Sequence, residues 1–340
     1  MNQQQRKNMW LALAGAGAFL GYQVFASRRP AYSFKGKVVL ITGGSRGLGL
    51  VLARKFAKKG ARLAVCARNP EELEKARQDL SSRGAEVLVI PCDVRQETEV
   101  NNMVQQVTTH YGRIDVLINN AGVIQAGPLD NQTLADFREA MDTHYWGPLY
   151  ATLAVLPGMK QQQEGRIVNI ASIGGKVSVP HMLPYSGSKF ALVGLSEGLR
   201  SELKKYNIPV TTINPWLMRT GSTGHGVVKG QHEKEYAWFA TLDALPLVSM
   251  SAEKSARKIL KAIRSGQAEL TLSVYGKLAS LVHGLSPAFM TEYFGLMNNI
   301  LPGPGSDERR TGEESKSDLV PDWAQSIQDK NAAKNNENIY

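Results

Sequence analysis

The chain has 340 residues, 43% of them hydrophobic and 21% charged, with a net charge of +10 and two cysteines. That length buries a substantial core in one large domain or two, and the composition is that of a globular protein, not a fibrous one. Cys66 and Cys92 each fall near the end of a predicted buried strand and read as free thiols; no metal-ligand spacing appears.

The charge is uneven. Residues 303–340 carry eight acids and five Lys or Arg, leaving +13 on residues 1–302. A basic body suits a polyanionic cofactor or anionic lipid, or is simply a solvated surface; no nucleic-acid motif accompanies it.

In chain order, Met9 to Ala26 is an apolar run of eighteen residues with Gln23 its only strongly polar member, flanked by Arg6, Lys7, Arg28 and Arg29. As a helix it reaches about 27 Å, enough for a thin bilayer. An N-terminal membrane anchor over 1–34 is the favoured reading; a cleaved signal peptide and a packed helix are the alternatives.

From Lys37 onward, strand-like runs alternate with amphipathic helices. Strands are predicted near 37–42, 61–67, 85–91, 114–119, 166–171, 208–213 and 268–274. Seven strands with helices between them imply one α/β domain over 35–275, a Rossmann-like doubly wound parallel sheet.

The first strand runs into Thr42-Gly43-Gly44-Ser45-Arg46-Gly47-Leu48-Gly49 and then a helix. Such a turn lets backbone approach a pyrophosphate at a helix N-terminus. The second strand ends at Arg68-Asn69, where an NAD site usually carries an acid. Arg68, with Arg46 in the turn, offers planar cations for a 2′-phosphate and so points to NADP(H). Asp93 and Val94 follow the third strand, and Asn119-Asn120-Ala121-Gly122 closes the fourth.

Tyr185 and Lys189 lie four apart, on one face of a predicted helix, thirteen residues after Ser172. A nearby cation stabilises phenolate and lowers the tyrosine pKa, which suits acid/base work near neutral pH.

Taken together, Thr-Gly-x-x-x-Gly-x-Gly, Asn-Asn-Ala-Gly, Ser172 and Tyr185-x-x-x-Lys189 resemble the short-chain dehydrogenase/reductase family in order and separation. The resemblance covers residues 35–275. It implies that Tyr185 exchanges a proton with the carbonyl oxygen, that Lys189 lowers the tyrosine pKa and binds the nicotinamide ribose, and that Ser172 orients the substrate. It further implies cofactor contacts from Asp93, Val94, Asn119, Ala121, Gly122 and Thr220.

Two positions depart from the family pattern. His144 stands where the family has asparagine, a residue that holds a helix distortion and a water behind the lysine; a neutral imidazole can hold that water or pass a proton. Asn214-Pro215-Trp216 replaces the usual Pro-Gly beside the nicotinamide.

Arg219 to Val248 lacks a sustained period, and its Tyr236, Trp238 and Phe239 suggest an apolar substrate or are ordinary packing residues. Over 276–302 an apolar helical extension, broken by Pro287, packs in the core or covers the active site, joins a dimer interface or lies on a membrane, and 303–340 reads as a disordered polar tail. The expected activity is NADP(H)-dependent reduction or oxidation of an apolar carbonyl or oxo-lipid. The expected protein is a homo-oligomer that binds no nucleic acid, anchored with its catalytic domain facing the cytoplasm, where the cofactor is supplied. A catalytically weak NADP-sensing scaffold on the same fold is the rival.

Overall fold

The computed structural model describes residues 32–338. The chain divides after Ser33, and the fold that follows is that of the unit Phe34–Tyr340. The apolar run Met9 to Ala26 lies outside the described residues; among those described, no helix is long and apolar enough to cross a membrane.

Seven strands make one parallel sheet: β1 (Val38–Thr42), β2 (Arg62–Ala67), β3 (Val87–Pro91), β4 (Val116–Asn119), β5 (Arg166–Ile170), β6 (Val210–Asn214) and β7 (Glu269–Thr271). Their order across the sheet is β7-β6-β5-β4-β1-β2-β3. The Rossmann-like architecture expected from the alternation is therefore present. Val38 to Ile41 of β1 are wholly buried, and each such aliphatic side chain contributes roughly 1.5–3 kcal/mol through burial. Strand order reverses between β1 and β4, which brings the ends of those strands to the crevice where such sheets bind ligands.

The connecting helices are α1 (Gly47–Ala57), α2 (Pro70–Ser82), α3 (Glu97–Tyr111), α4 (Leu134–Met141), α5 (Gly147–Gln162), α6 (Leu183–Leu203), α7 (His232–Ala244) and α8 (Ala252–Ser265). Local signals set their ends. Asn69 caps α2 by accepting from Glu71 N and Glu72 N, with Pro70 in the first turn. Gly112, at φ 78°, closes α3 in the left-handed conformation that glycine adopts without strain. Between α4 and α5, residues Asp142–Trp146 form a π-helical turn. Cys66 and Cys92 are buried and free, as expected.

The C-terminal part differs from its sequence reading. Arg219 to Val248 is not irregular, because it contains a strand, Val227–Gly230, and all of α7. Its Tyr236 is a core residue, packed with Ala240, Val320 and Ala324. Nor does the polar composition of 303–340 leave a disordered tail. Ser306–Thr311 pairs antiparallel with Val227–Gly230, and α11 (Asp322–Lys334) packs on α7. A few apolar residues and one strand pairing suffice to dock it.

The apolar extension forms two helices, α9 (Val274–Leu285) and α10 (Pro287–Asn298), with Pro287 opening the second. Core packing does not explain its composition: Leu278, Leu281, Leu285, Phe289 and Leu296 are all exposed, and of the two helices only Gly276 and Met290 are buried.

Candidate active site

Ser172 follows β5 in extended conformation and caps the short turn Ile173–Gly175, its Oγ accepting from Gly174 N at 3.0 Å. Helix α6 brings Tyr185 and Lys189 against it, and the Tyr185 hydroxyl hydrogen-bonds Ser172. Lys189 Nζ lies 5.6 Å from the centre of the Tyr185 ring and donates to Ile170 O at 2.9 Å. Gly174 lets the ring approach closely, since a Cβ at that position would stand 3.1 Å from Tyr185 Cε1. The three residues that the sequence singled out thus form one cluster.

Their electrostatics are not those the sequence suggested. Burial raises the Tyr185 phenol above its ordinary value and outweighs the hydrogen bond from Ser172, while burial brings the Lys189 amine down to about 7. Removing water penalises phenolate and ammonium alike. The expected lowering of the tyrosine by its lysine is absent in this arrangement, because Lys189 directs a hydrogen bond to the Ile170 carbonyl and is itself partly neutral near pH 7.

His144 sits on the π-helical turn with its ring edge-on to Tyr185, 5.4 Å between centres. Its Nε2 lies 3.1 Å from Val123 N, which can only donate, so Nε2 is unprotonated. Nδ1 therefore carries the hydrogen and donates to Ser188 Oγ at 2.8 Å, and Ser188 Oγ donates to Tyr185 O at 2.8 Å. Burial, and then the Lys189 charge, hold the imidazole pKa well below its usual value. Neither ring nitrogen is available to pass a proton. His144 ties the segment after β4 to the first turn of α6 and acts as a positioning residue.

At the glycine turn, Gly43 adopts φ +61°, and a Cβ there would lie 2.7 Å from Ala121 Cα. Thr42 Oγ1 accepts from Asn120 N and Ala121 N at 3.0 and 3.1 Å, while Asn120 Nδ2 donates to Thr42 O and Gly43 O. Asn120, which the sequence reading passed over, therefore holds the ends of β1 and β4 together. The Asn119 side chain is tied into the core: its Nδ2 donates to Asn169 Oδ1 at 2.8 Å. Leu48 and Gly49 are buried in the first turn of α1, and Gly122 sits beside His144 Nε2.

The selector residues are less uniform. Arg68 is exposed at the end of β2, and the Asn69 side chain is committed to its cap. Asp93 binds Arg95 at 2.6 Å; burial works to raise its carboxyl, but hydrogen bonds from Arg95 outweigh that and hold it low. Val94 is buried, and Gly147 packs against it. Pro215 O accepts from Ile173 N, and the Trp216 indole packs beside Gly276. Thr220 is buried, its Oγ1 2.7 Å from Ser222 Oγ. Arg46 lies 3.6 Å from carboxylates of both Glu72 and Glu337, and Ser45 Oγ donates to Glu72 at 3.0 Å. Composition gave no signal for Glu72 or Glu337 as neighbours of the turn. The cradle has the glycine geometry a dinucleotide needs, with an exposed cation at Arg68, although Gly47 N donates at 2.9 Å to Asn335 O.

The pattern described as short chain dehydrogenase matches residues 37–227, over half of the chain. The chain belongs to that family. Its members bind a nicotinamide cofactor, NAD or NADP, and act as dehydrogenases or reductases. Similar proteins include the dehydrogenase/reductase SDR family protein 7-like of Anopheles gambiae, 35% identical over 79% of this chain and 84% of that one. The fatty acyl-CoA reductase of Acinetobacter baylyi is 31% identical over 84% and 91%. Among solved structures, a short-chain dehydrogenase from Streptomyces avermitilis superposes with a TM-score of 0.66 at 29% identity, over 78% of this chain and 99% of that one. An NAD+-bound xylitol dehydrogenase superposes at 0.61 with 28% identity, over 71% and 99%.

Proposed function

We propose that this short-chain dehydrogenase is an NADP(H)-dependent carbonyl reductase or alcohol dehydrogenase with Tyr185 as its acid/base. The observation that carries the reading is the Ser172–Tyr185–Lys189 cluster at the end of the parallel sheet. The dinucleotide, when bound, supplies or accepts the hydride. Tyr185 then gives its phenolic proton to the substrate oxygen, and the Ser172 hydroxyl donates to and orients that oxygen. A phenol kept protonated by burial is suited to the donating direction. Lys189 is close enough to stabilise the phenolate once it forms.

NADP(H) preference rests on Arg68, an exposed cation where an NAD site would carry an acid. The apolar or lipid-like substrate rests on Trp216, which the family resemblance puts beside the nicotinamide, and on the likeness to a fatty acyl-CoA reductase. Anchorage through Met9 to Ala26, with the catalytic domain facing the cytoplasm, and self-association are parts of the same reading. NADPH consumption with a panel of long-chain ketones and aldehydes tests it: turnover by the parent, lost in Tyr185→Phe, is the expected result. A second reading, a dinucleotide-sensing scaffold, draws on the occupied phosphate turn; it requires NADPH binding without turnover of any carbonyl.

A further inference from the structure

The short segment after α11 lies on the glycine turn, and its contacts are specific. Asn335 is buried; its O accepts from Gly47 N, and its Nδ2 donates to Thr220 O at 2.9 Å. Asn336, at φ +59°, donates from Nδ2 to Ser45 O and Glu72 O at 3.0 and 3.2 Å. Glu337 fills the space over Gly47, so that even a Cβ on that glycine would strike its Oε1. The same carboxylate lies 3.6 Å from Arg46 Nε and 3.4 Å from His225 Nε2.

These are the groups a dinucleotide phosphate would use: the first amide of α1, the positive end of that helix, and Arg46. Glu337 is a carboxyl group placed where a phosphate is wanted, but it is poorly served there. Its side chain is 3% exposed and Oε2 is buried without a hydrogen-bond partner. A buried carboxyl oxygen left unsatisfied carries a desolvation cost, which keeps the docked state displaceable.

Resting on the dinucleotide-binding reading of this site, we propose that Asn335–Asn338 is an autoinhibitory plug: Glu337 stands in for a cofactor phosphate, and NADP(H) binds only when the plug lifts. The exchange is nearly balanced, because the incoming phosphates take over Gly47 N and Arg46 as Glu337 and Asn335 release them. The hinge is the end of α11. That helix stays packed on α7, while the four residues beyond Lys334, held back by Glu337 N donating to Ala332 O at 2.9 Å, swing away. A plug docked in about nine molecules of ten reduces apparent cofactor affinity about tenfold.

The test uses the full chain and the double variant Asn336→Ala/Glu337→Ala. NADPH and NADH affinities are read from nicotinamide fluorescence, and hydrogen exchange of the amides of 333–338 is followed with and without NADPH. The variant should bind NADPH about tenfold more tightly than the parent. In the parent, NADPH should speed exchange at 333–338 while slowing it at 43–50. Equal affinities with unchanged exchange at 333–338 overturn the plug alone. Binding of neither dinucleotide, by parent or variant, overturns the dinucleotide-binding reading and the plug together. Should the variant fail to fold, the exchange response of the parent decides.

Discussion

Around Tyr185 the polar groups are held by neighbours within the parallel sheet and its helices: Lys189 by Ile170 O, Gly174 N by Ser172, and His144 by Val123 and Ser188. Around Gly47 the corresponding partners are Asn335, Asn336 and Glu337, contributed from the far end of the chain. The Ser172–Tyr185–Lys189 cluster is preformed, whereas the glycine turn is satisfied by a segment that, on the plug proposal, a ligand replaces. Precision belongs where bonds are made and broken; exchangeability belongs where a cofactor enters and leaves.

Substitutions in the first region should destroy turnover and spare binding. Removing the phenolic hydroxyl in Tyr185→Phe should lower kcat by about a thousandfold, within the range for loss of a positioned acid, while the NADPH dissociation constant stays within about twofold. Steady-state kinetics beside fluorescence titration measures both; an equal loss in binding would erase the contrast between the regions. Gly174→Val drives a side chain into the Tyr185 ring and should cost about a hundredfold in kcat by misplacing the acid.

His144 gives a smaller effect of a different kind. His144→Leu leaves the part-buried Val123 amide without its acceptor and should lower unfolding stability by about 0.5–1.5 kcal/mol, read from urea midpoints. His144→Asn, which restores an acceptor, should recover most of that loss and turn over within about tenfold of the parent. A variant a hundredfold faster than the parent would show that histidine impedes the reaction.

The two regions should also answer pH with opposite signs. Burial, against the pull of Arg46, raises the docked Glu337 carboxyl to about 7 from an ordinary 4.5, so docking is strongest below 4.5 and is lost as pH rises through 7. Arg46, Glu72 and His225 face it; His225 is brought to about 4 by burial and then Arg46, and is neutral across that window. NADPH affinity of the parent relative to Glu337→Gln should therefore improve by up to about tenfold per pH unit between pH 5 and 7. A flat ratio would show that Glu337 does not titrate on docking. Lys189 runs the other way: with its folded pKa near 7 and an ordinary value of 10.5, the unfolded chain holds the extra proton. Stability of the cofactor-free protein should thus rise with pH between those values, and Lys189→Met should flatten the rise.

The same contrast explains what was legible in the amino-acid sequence. All seven strands were, because a parallel sheet buried on both faces demands continuous apolar runs that stand out between amphipathic helices. Ser172, Tyr185 and Lys189 were legible from their spacing and order. The docked tail was not. Its polar composition resembles disorder, and it is held by long-range pairings such as Arg46 with Glu337 and Ser306 with Gly230, which leave no periodic trace. The function of His144 was invisible for a related reason: the tautomer is set by an amide twenty-one positions away. Whether Tyr236 packed in the core or faced a substrate was not legible, because an aromatic carries no mark of which surface it packs against.

The helices α9 and α10 have a practical consequence for the protein in solution. With Val274, Leu285, Leu296 and Ile300 each at least 70% exposed, this hairpin adds little to folding stability and much to the apolar area facing water. Its substitutions should therefore act on colloidal behaviour, the smallest of the effects described. Leu281→Lys should raise the concentration at which purified protein stays free of light scattering in plain buffer, while its melting temperature stays within about 2 °C of the parent.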